Sequence, residues 1–593
     1  MATAVAAAGL RHYRIDNNIE AWVPKQAALG GFSSYAVIGF EPAVCEPGPL
    51  ARKLRSLPGV AFCIDPDSVR AAGRLAGVTA DEFVVGEGGR YVGIYVFRAN
   101  GVTDEEFVGG IRTCLFDHVP GRAHGFALGG PAVFHVELNR ASQERLPVAM
   151  LALLAAGGSM MWWIAGRWQV AIAATAALVM SQIILVGFLS WRQVPMDMSL
   201  SMVPPLMTSL AFSYAAHRAM RRGAAKTLFL CCLTTALGIG SFVFTSVAPI
   251  RTFAVYGVAG LGTTWLAVMM LVPGPAAGAA RVHVRNRRLR SGLRCAMWVA
   301  RGRAAGVLAI AGVLLVASLT ACPRLGVEND PLNYFAPTSR VVQDFSTLNA
   351  RLAGMLPFQV RVDGGADPAG MLACTPGVRK VIDTTGFLPG QGRTYWCLAD
   401  NRSLPRLIAA QSQWAAWAAE NGTRLEWYGV AAQLAEAARL IRRTVIGSLP
   451  FMALVAGVVV AAVHRSARLA AASIAANLLP VLLLALPAAA FGRPLDLPSL
   501  MIGSILVGVA VDDTLHLLTA RATRGSMRRA LVECWVPCVG SSLVVAVCLA
   551  MFAVSPFRPT AQFGLLMSAG VVLALLSDVF VLPALVPEET DTR

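Results

Sequence analysis

Two adjacent carboxyls inside an apolar run are the residues of this chain best placed to do chemistry: Asp512 and Asp513, in Val507-Gly508-Val509-Ala510-Val511-Asp512-Asp513-Thr514-Leu515-His516. One Asp at the centre of a membrane helix costs about 2.5 to 3.5 kcal/mol on insertion scales, so such groups face a bundle interior or a wet cavity and mark ion or proton pathways. The competing possibility is a pair close enough to the helix end to be solvated. Like charges this close titrate as a coupled pair, and the chemistry the pattern favours is binding and release of protons. Thr234, Thr235, Ser541 and Ser542, on neighbouring apolar runs, are candidate hydroxyl partners. Small polar residues at such positions equally serve helix packing. His217 and His516 border basic loops and read as interfacial, and Asp578 reads as a packing or interfacial residue.

Other chemistries find little support. No G-x-x-x-x-G-K-[ST] loop and no hydrolase motif occurs, which argues against ATP as the energy source and against an enzyme. The twelve cysteines form no CxxC pair, and Cys231, Cys232 and Cys548 lie in apolar runs as small hydrophobes. Neither a metal site nor a cofactor is expected. Cys45, Cys63 and Cys114 in one polar segment, and Cys374 and Cys397 in another, leave disulfides open without assigning them.

The elements that must hold the pair are membrane helices. Across 593 residues the hydrophobic share is 56%, the charged share 14% and mean hydropathy +0.59, far from the roughly half apolar and quarter charged of soluble domains. Apolar runs place eleven spans: Leu146 to Ile164, Val170 to Leu189, Ser199 to Ala219, Thr227 to Ser246, Thr252 to Val272, Ala304 to Cys322, Val445 to Val463, Ala467 to Ala490, Leu497 to Ala520, Val536 to Val554 and Thr560 to Val586. The net charge of +17 resides mostly in short loops after these spans, around Arg218 to Arg222, Arg281 to Arg303, Arg465 to Arg468 and Arg521 to Arg529. That placement follows the positive-inside rule and argues for topology rather than nucleic-acid binding. Threading the spans alternately puts the basic loops inside and the long polar segments, 11 to 145 and 323 to 444, outside. Tyr35 to Phe40, Tyr91 to Phe97 and Phe358 to Val362 read as strands. With Pro58-Gly59-Val60 and Pro376-Gly377-Val378 between helix and strand, the polar segments read as α+β domains of split βαβ type.

The chain repeats itself. At an offset of 299 residues Gly130 matches Gly429, Glu137 matches Glu436, Asp197 matches Asp496 and His217 matches His516; later Ala248-Pro249-Ile250-Arg251 faces Ser555-Pro556-Phe557-Arg558 at 307. The offset sets Ser213 and Tyr214 opposite Asp512 and Asp513, so only one half carries the carboxyls, and Ser213 and Tyr214 are the partners expected closest to them. Each half is one helix, a polar domain and five helices, a common transporter plan. Met1 to Leu10 offers only about ten apolar residues, half of what spanning needs, so a further helix is expected upstream.

Gly508 to His516, Thr234-Thr235-Ala236-Leu237-Gly238, Ser555-Pro556-Phe557 with Phe563-Gly564, and Leu576-Ser577-Asp578 through Leu582-Pro583 resemble the resistance-nodulation-division (RND) superfamily, MMPL-type branch. The resemblance implies a polytopic α-helical membrane protein of about eleven transmembrane helices, with a two-fold repeat and two extracytoplasmic α+β ferredoxin-like domains. Its parts are porter-like domain 1 (1–145), bundle 1 (146–275), a basic cytoplasmic loop (276–303), the helix opening the second repeat (304–322), porter-like domain 2 (323–444), bundle 2 (445–586) and a cytoplasmic tail (587–593). It further implies proton-driven export of hydrophobic or lipid-like molecules across a bacterial inner membrane. The relay would comprise Asp512, Asp513, Tyr214, Ser213, Ser541, Ser542, Thr234 and Thr235. The implied partners are cargo, protons and membrane lipids, with no nucleic acid; a homo-oligomer stays open. Ser213 departs from the family, where many members are acidic. A lipid-sensing or scaffold protein, similar to sterol-sensing receptors, is the alternative.

Overall fold

The computed structural model describes residues 34–70, 84–86, 89–99, 101–118, 125–144, 146–194, 196–197, 199–221, 223–275, 287–300, 303–322, 330–352, 354–383, 393–400, 402–490, 492 and 495–586. Met1 to Leu10, upstream of which a further helix is expected, lie outside them. Along the chain come β1 (Tyr35–Phe40), α1 (Pro47–Arg55), β2 (Val60–Ile64), β3 (Val85–Gly86), β4 (Tyr91–Arg98), α2 (Asp104–His118), β5 (Phe126–Gly129) and α3 (Pro131–Gln143). Helices α4 (Leu146–Ala165), α5 (Trp168–Trp191), α6 (Val203–Met220), α7 (Ala224–Gly240), α8 (Ala248–Leu271), α9 (Arg287–Ala300) and α10 (Ala304–Ala321) follow. Next are α11 (Arg340–Arg351), β6 (Leu356–Asp363), α12 (Ala369–Ala373), β7 (Val378–Asp383), β8 (Arg393–Ala399), α13 (Leu404–Glu420) and β9 (Arg424–Tyr428). The chain ends in α14 (Val430–His464), α15 (Ala467–Ala490), α16 (Leu497–Arg524), α17 (Met527–Ala550), α18 (Arg558–Leu576), a π-helical turn (Ser577–Val581) and α19 (Leu582–Leu585).

These elements form two compact units, one from described residues within 34–141 and 330–439, the other from 142–322 and 440–586. The first unit holds two sheets of the same permutation. Their strand orders are β2-β4-β1-β5, with β3 on β4, and β7-β8-β6-β9, all antiparallel. A helix joins first strand to second and another joins third to fourth, the ferredoxin-like split βαβ arrangement. β1 is buried along its whole length while β6 alternates, because α11 lies across the first sheet. Its Leu348 sits where a Cβ on Gly39 or Gly129 would come within 2.3 or 2.6 Å of a methyl group. Leu128 donates its N–H to Asp344 at 3.4 Å, and Arg351 pairs with Glu41 at 2.7 Å. Both sheets end on a glycine in the left-handed region, Gly130 at φ 99° and Gly429 at 97°. All twelve cysteines are free thiols in this structure.

The second unit is the membrane bundle. Ten helical stretches among the described residues are long and apolar enough to span, including Gly447–His464 at the end of α14. The eleventh expected span is α6, which is entered through a 3-10 turn (Leu200–Met202) and is buried along almost its whole length. Ser209, Ser213, Tyr214 and His217 face protein rather than lipid, which is why α6 is less apolar than the other ten. By contrast α10 buries only Ser318, as a helix wrapped in lipid does. Trp162, Trp163, Trp168 and Trp191 are exposed at the ends of α4 and α5, where membrane interfaces collect aromatics. The stretch read as a basic loop contains α9, whose Ala296 and Leu293 pack on Trp535 and Val579.

The repeat is carried by matching devices. Asp197 and Asp496 each accept from the backbone N–H three residues on, Leu200 at 2.7 Å and Ser499 at 2.9 Å, capping the entries to α6 and α16. The two halves also exchange packing: α7 lies against α16, and α17 against α6. In the last helices the structure corrects the register. Ala248 and Arg558, 310 residues apart, open α8 and α18, and Gly260 packs on Leu185 and Met207 just as Gly570 packs on Leu484 and Leu506. The sequence match at 307 is one helical turn out, which an apolar helix with scattered glycines does not reveal.

Candidate functional site

α16 is a 28-residue helix that starts at the Asp496 cap and stops at Gly525, whose φ of 71° only glycine adopts freely. Asp512 and Asp513 lie well inside it, 6% and 9% exposed, so the solvated-end alternative does not hold. The pair meets α6 on one side and α17 on another. Ser542 donates its hydroxyl to Asp513 Oδ2 at 2.6 Å, and His217 Nε2 stands 3.5 Å from Asp513 Oδ1 and 3.1 Å from Ser541 Oγ. Ser213, Asp512, Asp513, Ser541 and Ser542 line one small cavity, closed by apolar residues such as Val509, Val545 and Val571, with room for about one water molecule.

Five of the eight expected relay residues thus converge on one cavity, but their order differs from the expectation. Ser542 and His217, not Ser213 or Tyr214, hold Asp513. The Tyr214 hydroxyl is buried without a hydrogen-bond partner, as is Asp512 Oδ1. Thr235 donates to the Gly508 carbonyl at 3.1 Å, strapping α7 to α16, while Thr234 bonds back to Cys231 O of its own helix at 2.9 Å. These two threonines pack; they do not touch the carboxyls.

Both histidines read as interfacial are central instead. His217 is 1% and His516 0% exposed, and their rings stack at 3.9 Å with 5° between planes. Repeat partners that stack on each other lie on the axis relating the halves. Arg221 donates Nη1 to His516 Nδ1 at 2.7 Å and to its carbonyl at 3.1 Å. Arginine is always a donor, so Nδ1 is the acceptor and a neutral His516 carries its proton on Nε2. Arg221 lies 3.9 Å from Glu533, which takes a 2.6 Å hydrogen bond from Arg524. A polar track therefore runs from Asp513 through His217, His516, Arg221 and Glu533 to the exposed Arg524. The offset that pairs His217 with His516 was the one signal in the sequence that could have found this axis.

Asp578 is likewise not interfacial: it is 1% exposed and accepts from Thr514 at 2.6 Å. Among the described residues, His217, Asp513 and Cys538 bring possible metal-ligand atoms within 4.8 Å of one another. In this structure Ser541 contacts the imidazole and Ser542 the carboxylate of that group.

No protein-family model and no curated protein matches the chain. Among solved structures it is similar to a heavy metal efflux pump seen in two crystal forms, with TM-scores of 0.60 and 0.59 and sequence identities of 11% and 12%. Each superposition covers 93% of this chain and 86% of that one. The chain is a polytopic helical membrane protein with extramembrane sheet domains, in the fold of that pump.

Proposed function

We propose that this protein is a proton-motive-force-driven exporter of RND type, of the MMPL branch, moving hydrophobic or lipid-like molecules out across a bacterial inner membrane, and is not an enzyme. One observation carries the proposal: two adjacent carboxyls are buried at the junction of the two halves, and one of them is held by a histidine on the repeat axis. A buried carboxylate needs a cation or a proton to be tolerated. Asp512 has neither a basic partner nor a hydrogen bond at Oδ1, and a proton supplies what is lacking.

In this mechanism a proton binds Asp513 on the side facing His217 and, with Asp512 already holding one, leaves the pair neutral. The halves then lose an electrostatic tie across α6, α16 and α17, and the bundle rocks toward its other arrangement. Release of the proton restores the tie. Each ligand state favours the conformation it binds better, and alternating access follows from rocking of repeat-related halves. The similar solved protein is a heavy metal efflux pump. Lipid-like cargo is favoured here because the membrane helices present apolar faces.

The test uses the purified full chain in proteoliposomes with Nile red as a lipophilic probe and an imposed pH gradient. Wild type should expel the dye in proportion to the gradient. Asp512→Asn and Asp513→Asn should fold, insert and abolish gradient-driven efflux. Wild-type rates in the double Asn variant would refute proton coupling at this site and leave a lipid sensor or scaffold as the better description.

A further inference from the structure

Asp578 is hydrogen-bonded to Thr514 and not to the carboxyl pair, and it has no part in the mechanism above. It lies on the π-helical turn Ser577–Val581, and such turns inside α-helices concentrate at functional positions. Thr514 donates its hydroxyl to Asp578 Oδ1 at 2.6 Å, whereas Oδ2 is buried without a partner. The same threonine oxygen accepts from Asn477 Nδ2 at 3.1 Å, and Asn477 Oδ1 lies 3.4 Å from it. Asn477 is anchored on α15 through the Ser473 carbonyl at 2.8 Å, and Ser577 donates to the Ala476 carbonyl at 2.6 Å. One carboxyl is thereby linked to α15 and α16 through a single hydroxyl.

The groups that face Asp578 supply no countercharge. From α16 come Asp512 and Asp513, and from α17 come the thiols of Cys534 and Cys538, which share a small cavity with it. α15 offers the uncharged Ser473 and Asn477. α10 is apolar, and α9 turns Ala296 inward while its Arg294 and Cys295 are exposed. No Lys, Arg or His forms an ion pair with Asp578 among the described residues. A bare carboxylate buried in such surroundings costs several kcal/mol, so a small cation is required. The cavity walls beside Asp578, with Leu517, Leu531, Leu575 and Val579, are carbon and sulfur. A dehydrated metal cation needs several oxygen ligands; a proton needs one.

We infer that Asp578 is a second proton-binding site of the bundle, separate from Asp512 and Asp513, and that Thr514 reports its state to α15. With Asp578 ionised, Thr514 donates to it, as observed. When a proton binds Oδ1, the oxygen that faces the threonine, Asp578 becomes the donor there, Thr514 Oγ1 the acceptor, and the threonine hydrogen turns to Asn477 Oδ1. The chain of donors reverses without any heavy atom having to leave its place. Thr514 directly follows Asp513, so the two sites share one helix segment. The inference deepens the proton-coupled reading and rests on it for its purpose, although Asp578 can titrate whether or not the pair does.

The test is attenuated-total-reflection infrared titration of the full chain in lipid vesicles, following the C=O stretch of protonated carboxyls from acid to alkaline pH. One titrating band should vanish in Asp578→Asn and persist in Asp512→Asn and Asp513→Asn. In Thr514→Val that band should remain but change frequency, a readout that a purely structural threonine would not move. If Asp578→Asn removes no titrating band, or fails to fold while Thr514→Val leaves every band unchanged, the inference is overturned. A band that responds to sodium at constant pH would overturn it in favour of a metal cation. Loss of the Asp512 and Asp513 bands with the Asp578 band intact would sink the pair's role and sustain this one.

Discussion

Ser542 carries the most direct load among single residues, because its hydroxyl is the close donor to Asp513 in a buried site. Ser542→Ala should leave that carboxylate oxygen unsatisfied, at a cost of about 1 to 3 kcal/mol, read as a lower Tm of the purified protein in detergent. Ser213→Ala, which lines the same cavity but donates to neither carboxyl, should leave Tm near wild type. Outside the membrane the informative carboxyl is Asp104. Burial alone would raise its pKa, but hydrogen bonds from His135 and Ser34, together with Arg98 at 3.0 Å, hold it below the ordinary value. A depressed pKa contributes stability above the unfolded value of about 3.9 that is lost as pH falls through the folded one. Hydrogen exchange should therefore show residues 104–118 losing protection on acidification below about pH 4, and Asp104→Asn should flatten that dependence.

At the scale of elements, close approach of helices positions the site. A Cβ added at Gly508 would lie 3.1 Å from Thr235 Cα, so α7 and α16 touch nearly backbone to backbone. Gly508→Val should force them apart at a cost of about 1 to 3 kcal/mol or more, seen as a reduced yield of folded protein by size-exclusion chromatography. Gly312→Ala on α10 meets nothing within 4 Å and should be neutral. The elements were largely legible beforehand: the strand Tyr35–Phe40 is found as expected from its residues, and most apolar runs are helices. Legibility failed where polarity has a tertiary cause. α6 is found where the run Ser199 to Ala219 is expected, whereas α9 reads as loop because its basic face hides the inward Ala296 and Leu293.

For the whole molecule, the topology is the decisive expectation. Reporter fusions after Arg468 and Arg524 should report cytoplasm, and fusions at Gly101 and Gly365 the opposite side; a basic loop found outside would break the alternation on which the duplicated plan stands. The sequence by itself determined that this is a duplicated membrane protein, since apolar runs of spanning length, basic loops and a fixed offset are properties of local composition and spacing. It also singled out Asp512 and Asp513, because a carboxyl in an apolar run is costly wherever the helix lies. Only the tertiary structure decided what those carboxyls meet. His217, Arg221 and Asp578 are ordinary polar residues near helix ends until α6, α16, α17 and α18 pack, and which faces then meet depends on helix rotations that no local pattern encodes. The exchange of α7 and α17 between halves turns one half's histidine toward the other half's aspartate, and contact across a repeat axis exists only once both halves are in place.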